Sequence, residues 1–279
     1  MSETPDTVLT DLADGVLTIT LNRPDRGNAW NSAMTLGYFD ALESAARDPR
    51  VRVIVVTGAG KAFCTGGDGA VIGGIAAAGS MAAGLPDRPA NARERPTWLA
   101  LSIGKPVIAA INGACFGMGM QQALCCDIRF ASEEAKFSTA YAKRGLVAEM
   151  GMSWLLQRLV GTGRGLDLML SARLVRAAEA RDIGLVEFAV PHDRLLAEAH
   201  AYARTLVEGS SPRAMRMMKY QAWKDASRGL IASYDEAQTM LAEAFTSDDF
   251  REGFASWQEG RPPAFAPLAD ELAFFPLED

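Results

Sequence analysis

The sequence predicts an α/β fold with a C-terminal helical region. Residues 107–111 form an apolar run without charge, which is typical of a strand that is buried on both faces of a sheet, and residues 51–57 are rich in β-branched residues and also predict a strand. A glycine-rich turn follows each of these runs. The hydrophobic pattern of the last part of the chain is helical almost to Gly260. We therefore divide the chain into a core, residues 1–200, and a helical region, residues 201–279.

The elements of the first half are predicted from the alternation of apolar and polar residues and from turn and helix-cap residues. Asp14 and Gly15 join two runs of alternating residues, which predicts a β-hairpin. Asn31 and Ser32 are N-cap candidates for the helix that follows the next polar loop. Residues 69–91 are rich in glycine and alanine, and we expect them to be mobile. The expected strands are residues 8–13, 16–21, 51–57 and 107–111, and the expected helices are residues 32–47, 92–103 and 118–126.

The second half is predicted to be mainly helical. Two short segments, residues 127–131 and 186–190, are expected to be strands. Residues 135–151 are expected to be irregular and partly extended. The expected helices are residues 153–160, 163–171, 177–182 and 192–208, followed by the helical region described above.

The composition argues against several classes of protein. The chain has 279 residues and a net charge of −6 without a basic cluster, which argues against binding to nucleic acid. No stretch is apolar enough to predict a membrane span, and the N-terminus lacks the pattern of a secretory signal. The four cysteines form no metal-binding spacing and indicate a reducing, cytoplasmic compartment. With only His192 and His200, we expect neither a metal site nor a Ser-His-Asp triad.

The two glycine-rich turns are the candidate site. A strand that feeds such a turn and then a helix leaves unpaired backbone N–H groups at the helix start, where they can face a ligand. Tight packing of a buried helix against a strand would also explain the glycines. The spacing around Gly60 and Lys61 fits neither a phosphate-binding loop nor a dinucleotide fingerprint.

Both turns resemble segments of one known family, the crotonase or enoyl-CoA hydratase/isomerase family. The resemblance extends over nearly the whole chain, in order and spacing. Its motifs are residues 22–31 (NRPDRGNAWN), 58–68 (GAGKAFCTGGD), 112–120 (NGACFGMGM) with 126–127 (CD), 135–137 (AKF) with 158–161 (RLVG), and 252–254 (EGF) with 261–263 (RPP).

The resemblance implies a spiral of ββα units, a helical region used in trimers or hexamers, and a coenzyme A thioester as substrate. It implies no prosthetic group, because coenzyme A is part of the substrate. It assigns the N–H groups of Gly67 and Met118 to an oxyanion hole, in which two fixed donors stabilise the negative charge that develops on the thioester oxygen. Substrate contacts are expected from two further sets of residues: Arg26, Asn28 and Ala29 in the first loop, and Thr65, Gly66, Asp68 and Gly117 around the turns.

Two of these residues have another possible role that does not involve the substrate. Arg26 could meet a phosphate of coenzyme A or be solvated. Asp68 could orient the first turn or cap the helix after it.

The sequence departs from the hydratase pattern at both acid positions. Hydratases of the family use two glutamates, and by ungapped position these are Gln121 and Tyr141 here. Gln121 can hydrogen-bond to a water or substrate but cannot take a proton. An unperturbed tyrosine has a pKa near ~10, so Tyr141 would be a poor base at neutral pH. Both are kept as substrate contacts.

Glu149 is the candidate base. It lies in residues 145–151 (GLVAEMG), a context similar to that of the base in one type of Δ3,Δ2-enoyl-CoA isomerase. Its apolar neighbours are expected to raise its pKa; they are Leu146, Val147, Met150, Met152 and Trp154. Alternatively, Glu149 could cap the following helix.

Three functions therefore remain open. The first is double-bond isomerisation of an enoyl-CoA with Glu149 as base. The second is enoyl-CoA hydration by a non-standard arrangement, and the third is a CoA-thioester-binding protein without chemistry.

Overall fold

The polypeptide runs repeatedly between a large and a small β-sheet, as seen in a computed structural model that describes residues 6–79 and 96–275. The large sheet has six strands in the order β1-β2-β3-β5-β7-β10, and the small sheet has four in the order β4-β6-β8-β9. In chain order the strands are β1 (Val8–Ala13), β2 (Val16–Leu21), β3 (Val53–Gly58), β4 (Ala62–Cys64), β5 (Val107–Ile111), β6 (Ala114–Phe116), β7 (Ile128–Ser132), β8 (Lys136–Ser138), β9 (Val175–Arg176) and β10 (Phe188–Val190).

Helices fill the connections and form the C-terminal region. In chain order they are α1 (Ser32–Arg47), α2 (Gly69–Ala78), α3 (Leu99–Ser102), α4 (Met118–Leu124), α5 (Met152–Val160), α6 (Thr162–Ser171), α7 (Ala177–Asp182), α8 (Leu195–Gly209), α9 (Pro212–Lys224), α10 (Leu230–Phe245) and α11 (Asp248–Glu259). Short 3-10 turns, among them Ala142–Arg144, link several of them.

Strand β5 is buried on both faces, as predicted, and so is most of β3. Ile54 and Val56 point into the main core beneath α1, whereas Val53 and Val55 point to the opposite face. On that face they meet Leu195, Ala199 and Ala203 of α8. Because successive side chains of a strand point to opposite faces, both sides of the central strands must be apolar.

The chain passes three times from the large sheet into the small one, through β3–β4, β5–β6 and β7–β8. The central pairs β2–β3, β3–β5, β5–β7 and β7–β10 of the large sheet are parallel. The pairs β4–β6 and β6–β8 of the small sheet are parallel too. Corresponding turns therefore stack at the same edge, and this stacking places the two glycine-rich turns side by side.

Several predicted elements are confirmed. Asn31 caps α1 by accepting a hydrogen bond from the Met34 N–H at 2.9 Å. The hairpin β1–β2, the helix α1 and the strand β5 have the predicted bounds.

Other predictions about local structure were wrong. Residues 69–78, expected to be mobile, form helix α2, because Asp68 caps its N-terminus and Gly79 ends it with a φ of 61°. The rest of that expectation lies outside the described residues. The small sheet was not predicted, because its strands have only two or three residues and show no measurable alternation.

Helix α8 spans the proposed boundary between residues 200 and 201. It packs on the large sheet through the residues of the second core cluster. The division into a core and a C-terminal helical region stays a prediction.

A buried ion pair fastens α9 to the strand that leads into the second turn. The Lys219 ammonium lies 2.8 Å from the Asp127 carboxylate, and both side chains are largely buried. The same ammonium donates to the carbonyls of Ala100 and Lys105. Asp127 in turn accepts a hydrogen bond from the Val107 N–H at 2.7 Å, at the start of β5. The helical region and the core strand are therefore held by one polar cluster.

We expect Lys219→Met to lower the free energy of unfolding by about 3 kcal/mol, because it leaves the Asp127 carboxylate buried without its cation. Urea denaturation measures the change. Lys61→Met, at an exposed lysine, is the matched control and is expected to change stability by less than about 0.5 kcal/mol. Equal midpoints for the two variants would contradict a structural role for the pair.

Candidate active site

The first turn is fixed by strand-like hydrogen bonds to the first loop. The Trp30 N–H donates to the Gly66 carbonyl at 2.8 Å, and the Asp68 N–H donates to the Trp30 carbonyl at 2.9 Å. These bonds use the groups on either side of Gly67. The Gly67 N–H itself finds no backbone acceptor within residues 6–79 and 96–275.

The second turn ends in the first residue of α4. Gly117 has a φ of 49° and a ψ of −118°, a conformation that residues with a side chain rarely adopt. Its N–H donates to the Ser138 carbonyl at 3.0 Å. Met118 begins the helix, so its N–H has no intrahelical partner. No backbone acceptor for it exists in the part of the chain that the structure describes.

The two turns touch each other. A Cβ atom built on Gly117 would lie 4.0 Å from the Gly66 Cα, and one built on Gly66 would lie 3.3 Å from the Phe116 carbonyl oxygen. One helical residue further, a Cβ atom on Gly119 would lie 2.3 Å from the Cys64 carbonyl oxygen, which is a clash. The glycines therefore allow tight packing, and the same packing brings together the two turns that carry the Gly67 and Met118 amides. Two unpaired N–H donors so arranged can stabilise an oxygen that becomes negatively charged.

The first loop supports the first turn through a residue that the sequence analysis missed. Arg23 forms an ion pair with Asp68 at 2.9 Å and donates to the Ala29 carbonyl. Its own N–H donates to the Asn28 side chain at 2.8 Å. Arg23 lies within the first loop motif, residues 22–31, so the sequence did point to this segment. It did not show which residue of the motif holds Asp68 and the Ala29 carbonyl in place.

Asp68 performs both tasks that the sequence left open. It accepts a hydrogen bond from the Ala70 N–H at 2.9 Å as the cap of α2. That hydrogen bond, together with the Arg23 guanidinium, lowers the pKa of the Asp68 carboxyl. The side chain both caps the helix and orients the turn.

The expected contacts of the first loop differ in exposure. Asn28 is fully buried, and its amide donates to the carbonyls of Ala59 and Ala62 at 2.9 and 2.7 Å. Ala29 is also buried, whereas Arg26 is exposed. The Thr65 hydroxyl donates to the Gly27 carbonyl at 3.2 Å. The structure thus brings the loop to the first turn. A substrate contact by any of these four residues stays a prediction.

Glu149 lies in the segment between the turn Ala142–Arg144 and α5. The residue that caps α5 is Gly151, and no side chain caps this helix, so the alternative role of Glu149 as a cap is wrong. The Glu149 carbonyl instead accepts the Met152 N–H at 3.0 Å. Burial raises the pKa of the Glu149 carboxyl above the ordinary 4.5.

The predicted cause of this pKa shift was partly wrong. Leu146, Val147 and Trp154 are 50, 81 and 40% exposed and do not enclose Glu149, whereas Met152 is fully buried and Met150 is partly buried. The first three side chains are exposed while Glu149 itself is half-buried.

Tyr141 connects the base segment with the second turn. It is 5% exposed, and its ring atom Cε1 would lie 3.9 Å from a Cβ atom on Gly117. Burial, and to a smaller extent the Glu149 carboxylate, raises the pKa of the Tyr141 hydroxyl well above its ordinary range. The phenol therefore stays protonated and cannot act as a base at neutral pH, as predicted from its residue type.

Gln121 also serves the base segment. It is fully buried, and its Nε2 donates to the Met150 carbonyl at 3.0 Å, next to Glu149. Its Oε1 accepts from Gln122 Nε2 at 2.7 Å. Both ends of the amide thus have partners within the protein, and a substrate contact by Gln121 stays a prediction.

Two negative findings bear on the site. No group of three or more His, Cys, Asp or Glu side chains in the described parts of the chain is arranged to hold a metal ion. In the same parts, no helix is both long and apolar enough to cross a membrane.

Comparison with known proteins identifies a family to which this arrangement of parallel strands, glycine-rich turns and helices belongs. A family model for enoyl-CoA hydratase/isomerase matches residues 11–267. The chain belongs to this family, also called the crotonase family, and has its fold.

Three similar proteins match almost the entire chain. A probable enoyl-CoA hydratase of Mycobacterium bovis is 34% identical over 263 residues, which are 94% of this chain and 98% of the relative. One of Rhodobacter capsulatus is 35% identical over 264 residues, covering 93% and 97%. The crystal structure of an enoyl-CoA hydratase/isomerase from Mycobacterium paratuberculosis matches with a TM-score of 0.80 and 30% identity, covering 93% and 98%.

We expect Gly117→Ala to lower the free energy of unfolding by about 1–3 kcal/mol, because alanine is strained at this φ although no atom would clash with it. Relaxation of the strain would turn the Met118 N–H, so activity should fall as well. Gly163→Ala in α6 is the matched control, since its added Cβ meets no atom within 4 Å at an ordinary φ. Thermal unfolding of both variants measures the difference, and a fully stable Gly117→Ala protein would contradict the requirement for glycine.

Proposed function

We propose that this enzyme isomerises the double bond of an enoyl-CoA thioester, with Glu149 as the base. The observation that carries the proposal is the half-buried Glu149 carboxyl with a raised pKa, whose charge acts on Tyr141, the side chain that packs against Gly117 of the second turn. The N–H groups of Gly67 and Met118 would hold the thioester oxygen as it becomes an enolate. Glu149 would remove a proton from C2 and return it to C4, so that one carboxylate completes the 1,3-shift.

The remaining expected residues would position the substrate. Arg26, Asn28 and Ala29 would lie along the coenzyme A moiety, and Thr65, Gly66, Asp68 and Gly117 would surround the thioester. Gln121 and Tyr141 would line the acyl side. No prosthetic group is needed, because coenzyme A arrives as part of the substrate and the proton shift requires no redox chemistry.

A second candidate is enoyl-CoA hydration, which the printed names of the relatives favour. Against it stand Gln121 and Tyr141, neither of which can take a proton from water at neutral pH. A CoA-thioester-binding protein without chemistry is the third candidate, favoured by the absence of both acids from these two positions.

We further propose a homotrimer or hexamer in the cytoplasm. Apolar side chains on α10 and α11 support the assembly, since Leu230, Ile231 and Trp257 are more than 70% exposed in the single chain. The four cysteines are free thiols, which supports a reducing compartment.

We expect Glu149→Gln to reduce the conversion of 3-enoyl-CoA to 2-enoyl-CoA by at least ~100-fold, the usual contribution of a general base. The measurement is the rate of 2-enoyl-CoA formation by purified protein. Glu208→Gln, at an exposed glutamate of α8, is the matched control. Isomerase activity that survives Glu149→Gln would contradict the assignment. Formation of 3-hydroxyacyl-CoA from 2-enoyl-CoA would favour hydration, and saturable binding without turnover would favour the binding protein.

The pH dependence of kcat/KM should report the same carboxylate. Only the ionised form accepts a proton, so activity rises with pH through the pKa of Glu149, and burial places this rise above pH 4.5. A rise in activity centred at or below pH 4.5 would contradict the role of this group.

A raised folded-state pKa also means that ionised Glu149 destabilises the fold at neutral pH. Glu149→Gln should therefore be no less stable than the wild type at pH 7.

A further inference from the structure

The backbone turns sharply directly after Glu149, through two residues in the left-handed region. Met150 has a φ of 55°, and Gly151 has a φ of 76° and a ψ of 9°. Glycine adopts this conformation readily, whereas a residue with a side chain adopts it only at a cost in free energy. A backbone conformation of this kind persists only where contacts from the surrounding structure hold it. Met150 therefore needs such a contact.

Gln121 of α4 provides a contact to Met150. Its Nε2 donates to the Met150 carbonyl at 3.0 Å. The Gln121 side chain is fully buried, so the bond is largely shielded from water. One residue earlier, the Glu149 carbonyl accepts the Met152 N–H at 3.0 Å. The peptide groups on both sides of the Met150 Cα atom are thus held, one by α4 and the other by the start of α5.

The orientation of the Gln121 amide is fixed by its neighbour Gln122. Gln122 Nε2 donates to the Thr97 carbonyl at 2.9 Å and to Gln121 Oε1 at 2.7 Å. Carbonyl oxygens only accept, so a flipped Gln121 amide would place its oxygen against the Met150 carbonyl and its NH2 group against that of Gln122. Gln121 Nε2 also donates to Cys125 Sγ at 3.2 Å. Both hydrogens of this group therefore have partners within the protein.

From this geometry we infer that Gln121 is a positioning residue for the reaction, because it holds Met150 in the left-handed conformation and thereby fixes the backbone that carries the Glu149 carboxyl. The inference rests on the proposed function, in which Glu149 is the base. A base acts from a narrow range of positions, and a displacement of about 1 Å can slow a reaction by about 100-fold. Gln121 thus contributes to the proton shift although it cannot take a proton itself.

Gln121→Met tests this role, since methionine has nearly the same length but cannot donate to the Met150 carbonyl. We expect kcat for the isomerisation of 3-enoyl-CoA to fall at least about 10-fold, while KM changes by less than about 2-fold. The same substitution at Gln157, a half-buried glutamine of α5, is the matched control. It should leave both constants within about 2-fold of the wild type.

Met150→Asn gives an independent test of how Gln121 acts. Asparagine adopts the left-handed conformation more readily than methionine, so the segment should depend less on the Gln121 bond. In the Met150→Asn background, Gln121→Met should therefore lower kcat by about 3-fold or less. Thermal unfolding shows that the compared variants are folded. This comparison remains decisive if Gln121→Met alone does not fold, because a loss of about 10-fold or more in the new background would contradict the mechanism.

The outcomes separate the positioning role from the proposed base. An unchanged kcat in Gln121→Met, or an equal loss in both backgrounds, overturns the inference. A rise in KM at unchanged kcat would assign Gln121 to the substrate and overturn it as well. If Glu149→Gln keeps its isomerase activity, the proposed base is wrong and the inference falls with it. If Glu149→Gln is inactive while Gln121→Met is fully active, the base stands and only the positioning role is wrong.

Discussion

The close approach of two backbones, at the ends of β4 and β6, is the constraint on which the site depends. Parallel strands bring both turns to one edge of the small sheet, and glycine at positions 117 and 119 permits the contact. A side chain at either position would require the turns to separate or the backbone to change its conformation. The candidate oxyanion donors are consequently a product of packing, since the two turns that carry them stay in contact only while the strands and the helix remain in register.

Three buried polar interactions, here called anchors, hold the elements that surround this contact. Arg23 and Asp68 hold the first loop against the first turn. The Lys219–Asp127 pair holds the helical region against the strand that feeds the second turn. Gln121 holds the segment that carries Glu149. All three anchors are wholly or largely buried, where a polar group without a partner is costly, so each favours one arrangement of the loop that it supports.

The sequence was informative where residues act through pattern or through their own chemistry. Alternation and β-branched runs predicted the large sheet, and the glycine spacing located both turns. The inability of Gln121 and Tyr141 to act as bases followed from their residue types. The small sheet could not be predicted, because strands of two or three residues have no detectable period. Helix α2 was missed because glycine and alanine alone resemble a mobile segment, and the exposure of Val147 depends on tertiary packing that the local sequence does not encode.

The Gln121 hydrogen bond also limits how this site could evolve or be redesigned. A glutamate at position 121 would place a carboxyl where a hydratase carries one, but it would remove the donor to the Met150 carbonyl and bring two oxygens together. The segment of Glu149 would then lose its anchor as the new acid arrived. A single substitution would therefore add the acid and remove the hydrogen bond that holds the Glu149 segment, so a compensating change in residues 145–151 would have to accompany it.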